Sequence, residues 1–132
     1  MVDLAGIDVE QLVAVARRAR ENAYAPYSKY RIGAALLAVS GAVHVGCNVE
    51  NASYGATLCA ERVAVACAVA AGERSFRALA VFVGGNRPAM PCGLCRQVLA
   101  EFGLDTLVIA ACADGERQVV TLAELLPHPF SL

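Results

Sequence analysis

Near the start of the chain Leu12, Ala16, Ala19 and Ala23 recur at helical spacing, Asp8 with Gln11 forms a capping-box pattern ahead of them, and Ala25-Pro26 breaks the run. This predicts a first helix. Residues 32–39 and 42–48 are then nearly continuous apolar runs about Ser40-Gly41, which read as a hairpin whose strands are largely covered on both faces. Residues 59–71 are rich in alanine and close at Gly72, a second helix with a glycine stop. A strand over 78–83 runs into the loop Gly84-Gly85-Asn86-Arg87-Pro88, and a third helix is expected from near Pro91 to a stop at Gly103. Residues 106–111 read as a strand, Asp114-Gly115 as a turn and 118–120 as a short partner strand, with Thr121 and Glu124 capping a last short helix. The order α-β-β-α-β-α-β-β-α predicts a central sheet buried between helices, and the hairpins make that sheet mixed.

At 132 residues the chain has room for one core, so residues 1–132 are read as a single domain. Hydrophobic residues make up 58% and charged residues 17%, which is the composition of a folded chain and not of a disordered one. Eleven basic residues against twelve acidic ones give a net charge of -1, so no long nucleic-acid partner is expected. The tight basic cluster Arg17, Arg18 and Arg20 lies on the first helix without aromatics beside it, which also disfavours a substrate base within RNA or DNA. The longest apolar run, over 63–71, has nine residues, about half of the roughly 20 needed to cross a bilayer, so no membrane partner is expected. Asp3, Asp8 and Glu10 precede the first arginine, unlike a secretory signal, and the expected location is the cytoplasm. There, six cysteines are thiols or metal ligands in preference to disulfides.

Two segments carry candidate chemistry, Thr57-Leu58-Cys59-Ala60-Glu61-Arg62 and Pro91-Cys92-Gly93-Leu94-Cys95-Arg96-Gln97, each at an expected helix start. Cys92 and Cys95, three apart, share a helical face, so both thiols can reach one metal ion. Free N–H groups and the dipole at a helix N-terminus favour thiolate, the form that binds zinc. Cys59 makes a third ligand, and a catalytic zinc keeps three protein ligands with its fourth position open to water. Glu61, two residues on, can approach that position without being a ligand, which is a hydrolytic arrangement. On its own the Cys92/Cys95 pair also fits a redox pair or half of a structural zinc site. A closed four-ligand site recruiting Cys47 or His44 would make the chain a zinc-stabilised binding module. Cys47, Cys67 and Cys112 are expected to pack as small hydrophobes.

Cys59-Ala60-Glu61 followed by Pro91-Cys92-Gly93-Leu94-Cys95 resembles the zinc deaminase signature in its three-cysteine form. Further motifs are Tyr27-Ser28-Lys29-Tyr30, Gly33-Ala34-Ala35, Gly46-Cys47-Asn48-Val49-Glu50-Asn51-Ala52-Ser53-Tyr54-Gly55 and Arg96-Gln97-Val98-Leu99. Together they make the chain, from about residue 25 to residue 130, similar to the short homotetrameric cytidine deaminases. That resemblance implies a three-layer α-β-α sandwich with a mixed five-stranded sheet. It implies Zn2+ held by Cys59, Cys92 and Cys95, with Glu61 as the proton shuttle. Asn48 and Glu50 would hold the ribose hydroxyls, the backbone at Ala60 and the carbonyl of Met90 would meet the base edge, and Tyr30 would pack against base and sugar. Tyr54 and Phe130 would reach the site of a neighbouring subunit in a homotetramer. Arg62 would donate to a cysteine sulfur, offsetting the negative charge that three thiolates leave on the metal. The implied reaction is hydrolytic deamination of cytidine and deoxycytidine to uridine and deoxyuridine with release of ammonia, in pyrimidine salvage. Nucleotides are disfavoured because no phosphate-binding loop accompanies Asn48 and Glu50. Three departures stand out: Tyr30 where the family usually has phenylalanine, Leu58 where many members have asparagine, and the extra proline Pro129 ahead of Phe130.

Overall fold

The computed structural model describes residues 4–132; Asp3, read above among the N-terminal acidic residues, lies outside them. In chain order the elements are α1 (Val9–Arg20), β1 (Ile32–Ala38), β2 (Val43–Cys47), a single 3-10 turn (Tyr54–Ala56), α2 (Ala60–Ala70), β3 (Phe76–Val83), α3 (Gly93–Ala100), β4 (Leu107–Cys112), β5 (Arg117–Thr121) and α4 (Leu122–Leu125). The strands form one sheet in the order β2-β1-β3-β4-β5. β1 runs antiparallel to β2 and β3, β3 runs parallel to β4, and β5 turns back antiparallel to β4. The mixed five-stranded sheet expected from the sequence is present.

Side-chain alternation divides the core between two faces. Ala80 and Phe82 of β3, Ala35 of β1 and Ile109 of β4 meet Leu12, Val13 and Ala16 of α1. On the opposite face Leu79 and Val81 of β3, with Ala34 and Leu36 of β1, meet Ala60, Ala64, Val65 and Ala68 of α2 and Leu99 of α3. With both faces covered, the central strands need no polar positions, and β4 is buried along its whole length. The result is the three-layer α-β-α sandwich.

Two glycines set the depth of these layers. A Cβ on Gly33 of β1 would lie 1.9 Å from the carbonyl oxygen of Ala16, and one on Gly46 of β2 would lie 2.2 Å from that of Ala60. Helix backbone therefore rests directly on strand backbone at both points, which no larger residue allows. The second contact seats the first turn of α2 against the end of β2.

The structure departs from the sequence reading in identifiable places. α1 stops at Arg20, short of the Ala25-Pro26 break, because Glu21, Asn22 and Ala23 close in tighter bonds to the third residue back. Tyr24 is then drawn into a bridge with Val49. β2 is an edge strand with Val43 and Val45 exposed, so the hairpin is not covered on both faces. Asp8 caps the Gln11 N–H at 3.1 Å, and Thr121 with Glu124 forms a full capping box. Of the cysteines expected to pack as hydrophobes, Cys112 is buried, Cys47 is half-buried and Cys67 is exposed on the outer side of α2.

Candidate metal centre and active site

The site lies at one end of the sheet. Register places Cys47 beside Gly33 and Val83 beside Ile32, so the C-terminal ends of β2 and β3 meet the start of β1 there. α2 begins over the end of β2, and α3 follows the loop that leaves β3. Beyond β2 the chain stays extended. Val49 exchanges both backbone hydrogen bonds with Leu58 at 2.9 Å, and Tyr24 brackets it through Asn48 O and Glu50 N, also at 2.9 Å. This three-stranded knot holds Asn48 and Glu50 beside the residues that lead into Cys59.

Cys59 is the N-cap of α2 and Cys92 the N-cap of α3, both in extended conformation, while Cys95 sits in the first turn of α3. Their sulfurs converge. Cys59 Sγ lies 3.8 Å from Cys92 Sγ, Cys92 Sγ lies 3.5 Å from Cys95 Sγ, and all three fall within 4.8 Å of one another. Among the described residues neither Cys47 nor His44 joins this set; His44 Nε2 instead meets Glu73 Oε2 at 3.3 Å. Three soft donors at two helix N-termini suit zinc, and the protein offers the trio no fourth Cys, His, Asp or Glu donor among the described residues.

The electrostatics match that donor set. The Cys59 thiol is pulled well below its ordinary range, first by hydrogen bonding with Cys95 and then by Arg62 and Cys92, against the opposing effect of burial. Cys95 moves the other way because its proton is the one shared with Cys59, and because burial and the nearby Glu61 charge oppose a second anion. Close packing of the three thiols thus opposes more than one negative charge among them, and a divalent cation is what would stabilise all three as thiolates. Arg62 donates from Nη2 to Cys59 Sγ at 3.7 Å and to the Thr57 carbonyl at 3.2 Å. Its guanidinium adds a positive charge on the protein side of the sulfurs.

Glu61, in the first turn of α2, is 4% exposed, and its Oε1 has no partner. Burial pushes its carboxyl up to about 7, with the neighbouring Cys59 charge acting in the same direction. A buried carboxyl oxygen without a partner is costly unless something else engages it, and its position beside the trio supplies a reason for its retention.

A family model described as the cytidine and deoxycytidylate deaminase zinc-binding region matches residues 7–111. The chain belongs to the cytidine and deoxycytidylate deaminase family. It is 50% identical over 126 residues to a cytidine deaminase of Sporosarcina psychrophila, covering 95% of this chain and 93% of that protein. It is 46% identical over 127 residues to one of Mycobacterium tuberculosis strain H37Rv, covering 96% and 92%. Among solved structures, the cytidine deaminase of Burkholderia pseudomallei superposes with a TM-score of 0.88 at 47% identity, over 92% of this chain and 98% of that one. The Mycobacterium tuberculosis cytidine deaminase superposes with a TM-score of 0.82 at 40% identity, over 96% and 99%. The family is one with a zinc-binding region, and within this chain the sulfurs of Cys59, Cys92 and Cys95 form a cluster that could hold the ion.

Around that centre the remaining residues fall into two groups. Glu50 and Tyr54 line a concavity of about 390 Å³ together with Tyr27, Ser28, Asn51 and Thr57. Tyr27 and Tyr54 meet edge to face with centroids 6.4 Å apart. Asn48 is buried, accepts from Ile32 N at 2.9 Å and donates to Tyr30 O at 2.8 Å, so its amide braces the turn ahead of β1. Ala60 is fully buried at the start of α2, and Met90 is half-buried in the loop before α3. Phe130 is elsewhere. Its backbone N–H and carbonyl are clamped by the side-chain amide of Gln97, its ring is 71% exposed, and it faces a separate concavity with Ala100 and Glu101. Tyr30 and Leu58, two of the departures from the family pattern, are both exposed.

Ser28, Arg96 and Gln97 stand within the sequence motifs, and their roles emerge only from the fold. Arg96 ties the Pro91 carbonyl (2.7 Å) and the Leu125 carbonyl (3.0 Å) to α3, fixing the loop that delivers Cys92. Their presence in dense motifs was the available signal; their partners lie across the fold.

Proposed function

We propose that this chain is a zinc-dependent cytidine deaminase that hydrolyses cytidine and deoxycytidine to uridine and deoxyuridine with release of ammonia, in pyrimidine salvage. One observation carries the reading: a buried Glu61 carboxyl, with its Oε1 unpartnered, beside three converging cysteine sulfurs at the starts of two helices. Cys59, Cys92 and Cys95 would hold the zinc ion, which when bound would supply the Lewis acidity that makes water nucleophilic near neutral pH. Glu61 takes a proton from the attacking water and delivers it to N3 of the base, so that C4 becomes electrophilic as the oxygen adds. It then carries the second proton of that water, from the hydroxyl now on C4, to the exocyclic amine; the C4–N bond breaks as the C4 carbonyl forms, and ammonia leaves with one water consumed. A carboxyl held to about 7 suits this task, because it accepts and returns a proton with little free-energy change at neutral pH.

Glu50 and Asn48 hold the sugar hydroxyls, Tyr30 packs against base and sugar, and the Ala60 backbone and Met90 carbonyl meet the base edge. The whole chain acts as one domain, and four copies assemble in the cytoplasm. The exposure of Tyr54 (78%) and of Phe130, both large aromatics on the surface of one chain, supports burial against a neighbouring copy. No helix among the described residues is long and apolar enough to cross a membrane. Incubation with cytidine, deoxycytidine and cytidine monophosphate, followed by ammonia release, tests the reading. Release from both nucleosides and little from the nucleotide is expected, and release from none overturns it.

A further inference from the structure

The turn between α1 and β1 is held to Glu50 by an unusual number of bonds. Glu50 Oε1 accepts from Tyr27 N at 3.0 Å and from Ser28 N at 3.1 Å, and Oε2 accepts from the Ser28 hydroxyl. Ser28 Oγ in turn accepts from Tyr30 N at 3.0 Å. That acceptance fixes the direction of the serine proton: with Tyr30 donating into Oγ, the hydroxyl hydrogen is free to point at the carboxylate, and the two bonds reinforce one another. The Tyr30 carbonyl is meanwhile held by Asn48 Nδ2 at 2.8 Å. Ser28 therefore joins the backbone of Tyr30, the amide of Asn48 and the carboxylate of Glu50 into one chain of bonds, of which Ser28 and Glu50 line the concavity of about 390 Å³.

The turn needs such a latch. Lys29 adopts φ +61°, the left-handed region that a lysine side chain disfavours, and its N–H closes back on Ala25 O at 3.0 Å. A carboxylate offers about four acceptor positions. Three are taken within the protein, one by the serine hydroxyl.

We infer that Ser28 is a positioning residue for the sugar end of the substrate: it clamps Glu50 so that one acceptor position of the carboxylate stays presented to a ribose hydroxyl. This rests on the nucleoside reading above. Without the serine hydroxyl, Oε2 loses its protein partner and the carboxylate is held at Oε1 alone, so it can pivot about that anchor and binding of the sugar weakens while the chemistry at C4 continues.

The test compares wild type, Ser28→Ala and Ser28→Thr on cytidine and on 2′,3′-dideoxycytidine, with zinc content measured for each. For Ser28→Ala the expected result is a KM for cytidine raised about tenfold with kcat within about twofold, and kcat/KM on the dideoxy substrate unchanged. Ser28→Thr, which keeps the hydroxyl, should restore the cytidine KM. A hydroxyl that merely stiffens the turn would depress both substrates alike, and that result, or an unchanged cytidine KM, overturns the role. Should Ser28→Ala not fold, Ser28→Cys keeps the volume with a weak donor and is read by the same criteria. A wild type that releases no ammonia from cytidine overturns the functional reading itself, whereas an active wild type with equal losses on both substrates overturns only the role of Ser28.

Discussion

A glutamate in water gives up its proton near 4.5, yet Glu61 holds it to about 7 because the first turn of α2 is buried and Oε1 has no partner. The nearest charges divide, Cys59 pushing the carboxyl up and Arg62 pulling it down, so burial decides the outcome. Replacement by glutamine keeps size and polarity and removes the capacity to carry a proton. Glu61→Gln is expected to retain zinc, measured by elemental analysis, and to lose more than about a hundredfold in kcat. A loss smaller than about tenfold, roughly 1.4 kcal/mol of barrier, would remove Glu61 from proton transfer. A second residue, Glu73, makes a contrasting prediction. The Ser40 hydroxyl at 2.6 Å, then His44, hold its carboxyl below the ordinary range. A depressed folded-state value means stability that is present above the unfolded value near 4.5 and is lost as pH falls through the lower folded value. Urea unfolding of wild type and Glu73→Gln should therefore differ at pH 6, with wild type the more stable, and the gap should close as the pH drops below 4.5. A gap that stayed constant with pH would assign the difference to packing.

At the scale of elements, the site depends on how close α2 comes to β2. Gly46 permits the carbonyl of Ala60 to rest where a side chain would otherwise stand. Gly46→Ala would force the strand and the helix start apart, an overpacking cost of about 1–3 kcal/mol, visible as a lower urea midpoint. Because Cys59 and Glu61 flank Ala60, the same variant should lose activity beyond what its stability loss explains at temperatures where it is folded. A Gly41→Ala control meets no atom within 4 Å and sits in a turn remote from the trio, at φ +94°, so its cost is conformational and should leave kcat unchanged. The helices themselves were visible in the spacing of Leu12, Ala16 and Ala19 and in the alanine run before Gly72. The end of α1 was not, because Tyr24 leaves helical geometry to pair with Val49, a residue far along the chain. The exposure of Val43 and Val45 was equally hidden: an apolar run has the same composition at the edge of a sheet as at its centre.

For the whole molecule, the trio of thiols links metal binding to stability. Cys59 lies on α2, while Cys92 and Cys95 lie on α3, so a shared ion ties the two helices of one layer together. Chelation should lower the Tm and restoring zinc should raise it, since an ion bound to the folded chain stabilises it by mass action; calorimetry with and without chelator checks this. An unchanged Tm would mean that α2 and α3 hold their positions by apolar packing alone. The sequence by itself determined the order of elements, the mixed sheet between helices and the shared helical face of Cys92 and Cys95, because these follow from periodicity, turn residues and short local spacing, whereas Cys59 was fixed as their partner only through the resemblance to a family. Tertiary structure decided what surrounds them: that His44 turns to Glu73 and not to the three sulfurs, that Cys67 faces outward, that Phe130 sits apart from Glu50, and that Ser28 holds the carboxylate. Each of those outcomes depends on contacts between residues distant in the chain, and a pattern of residue types carries no record of which distant partner a polar side chain will meet.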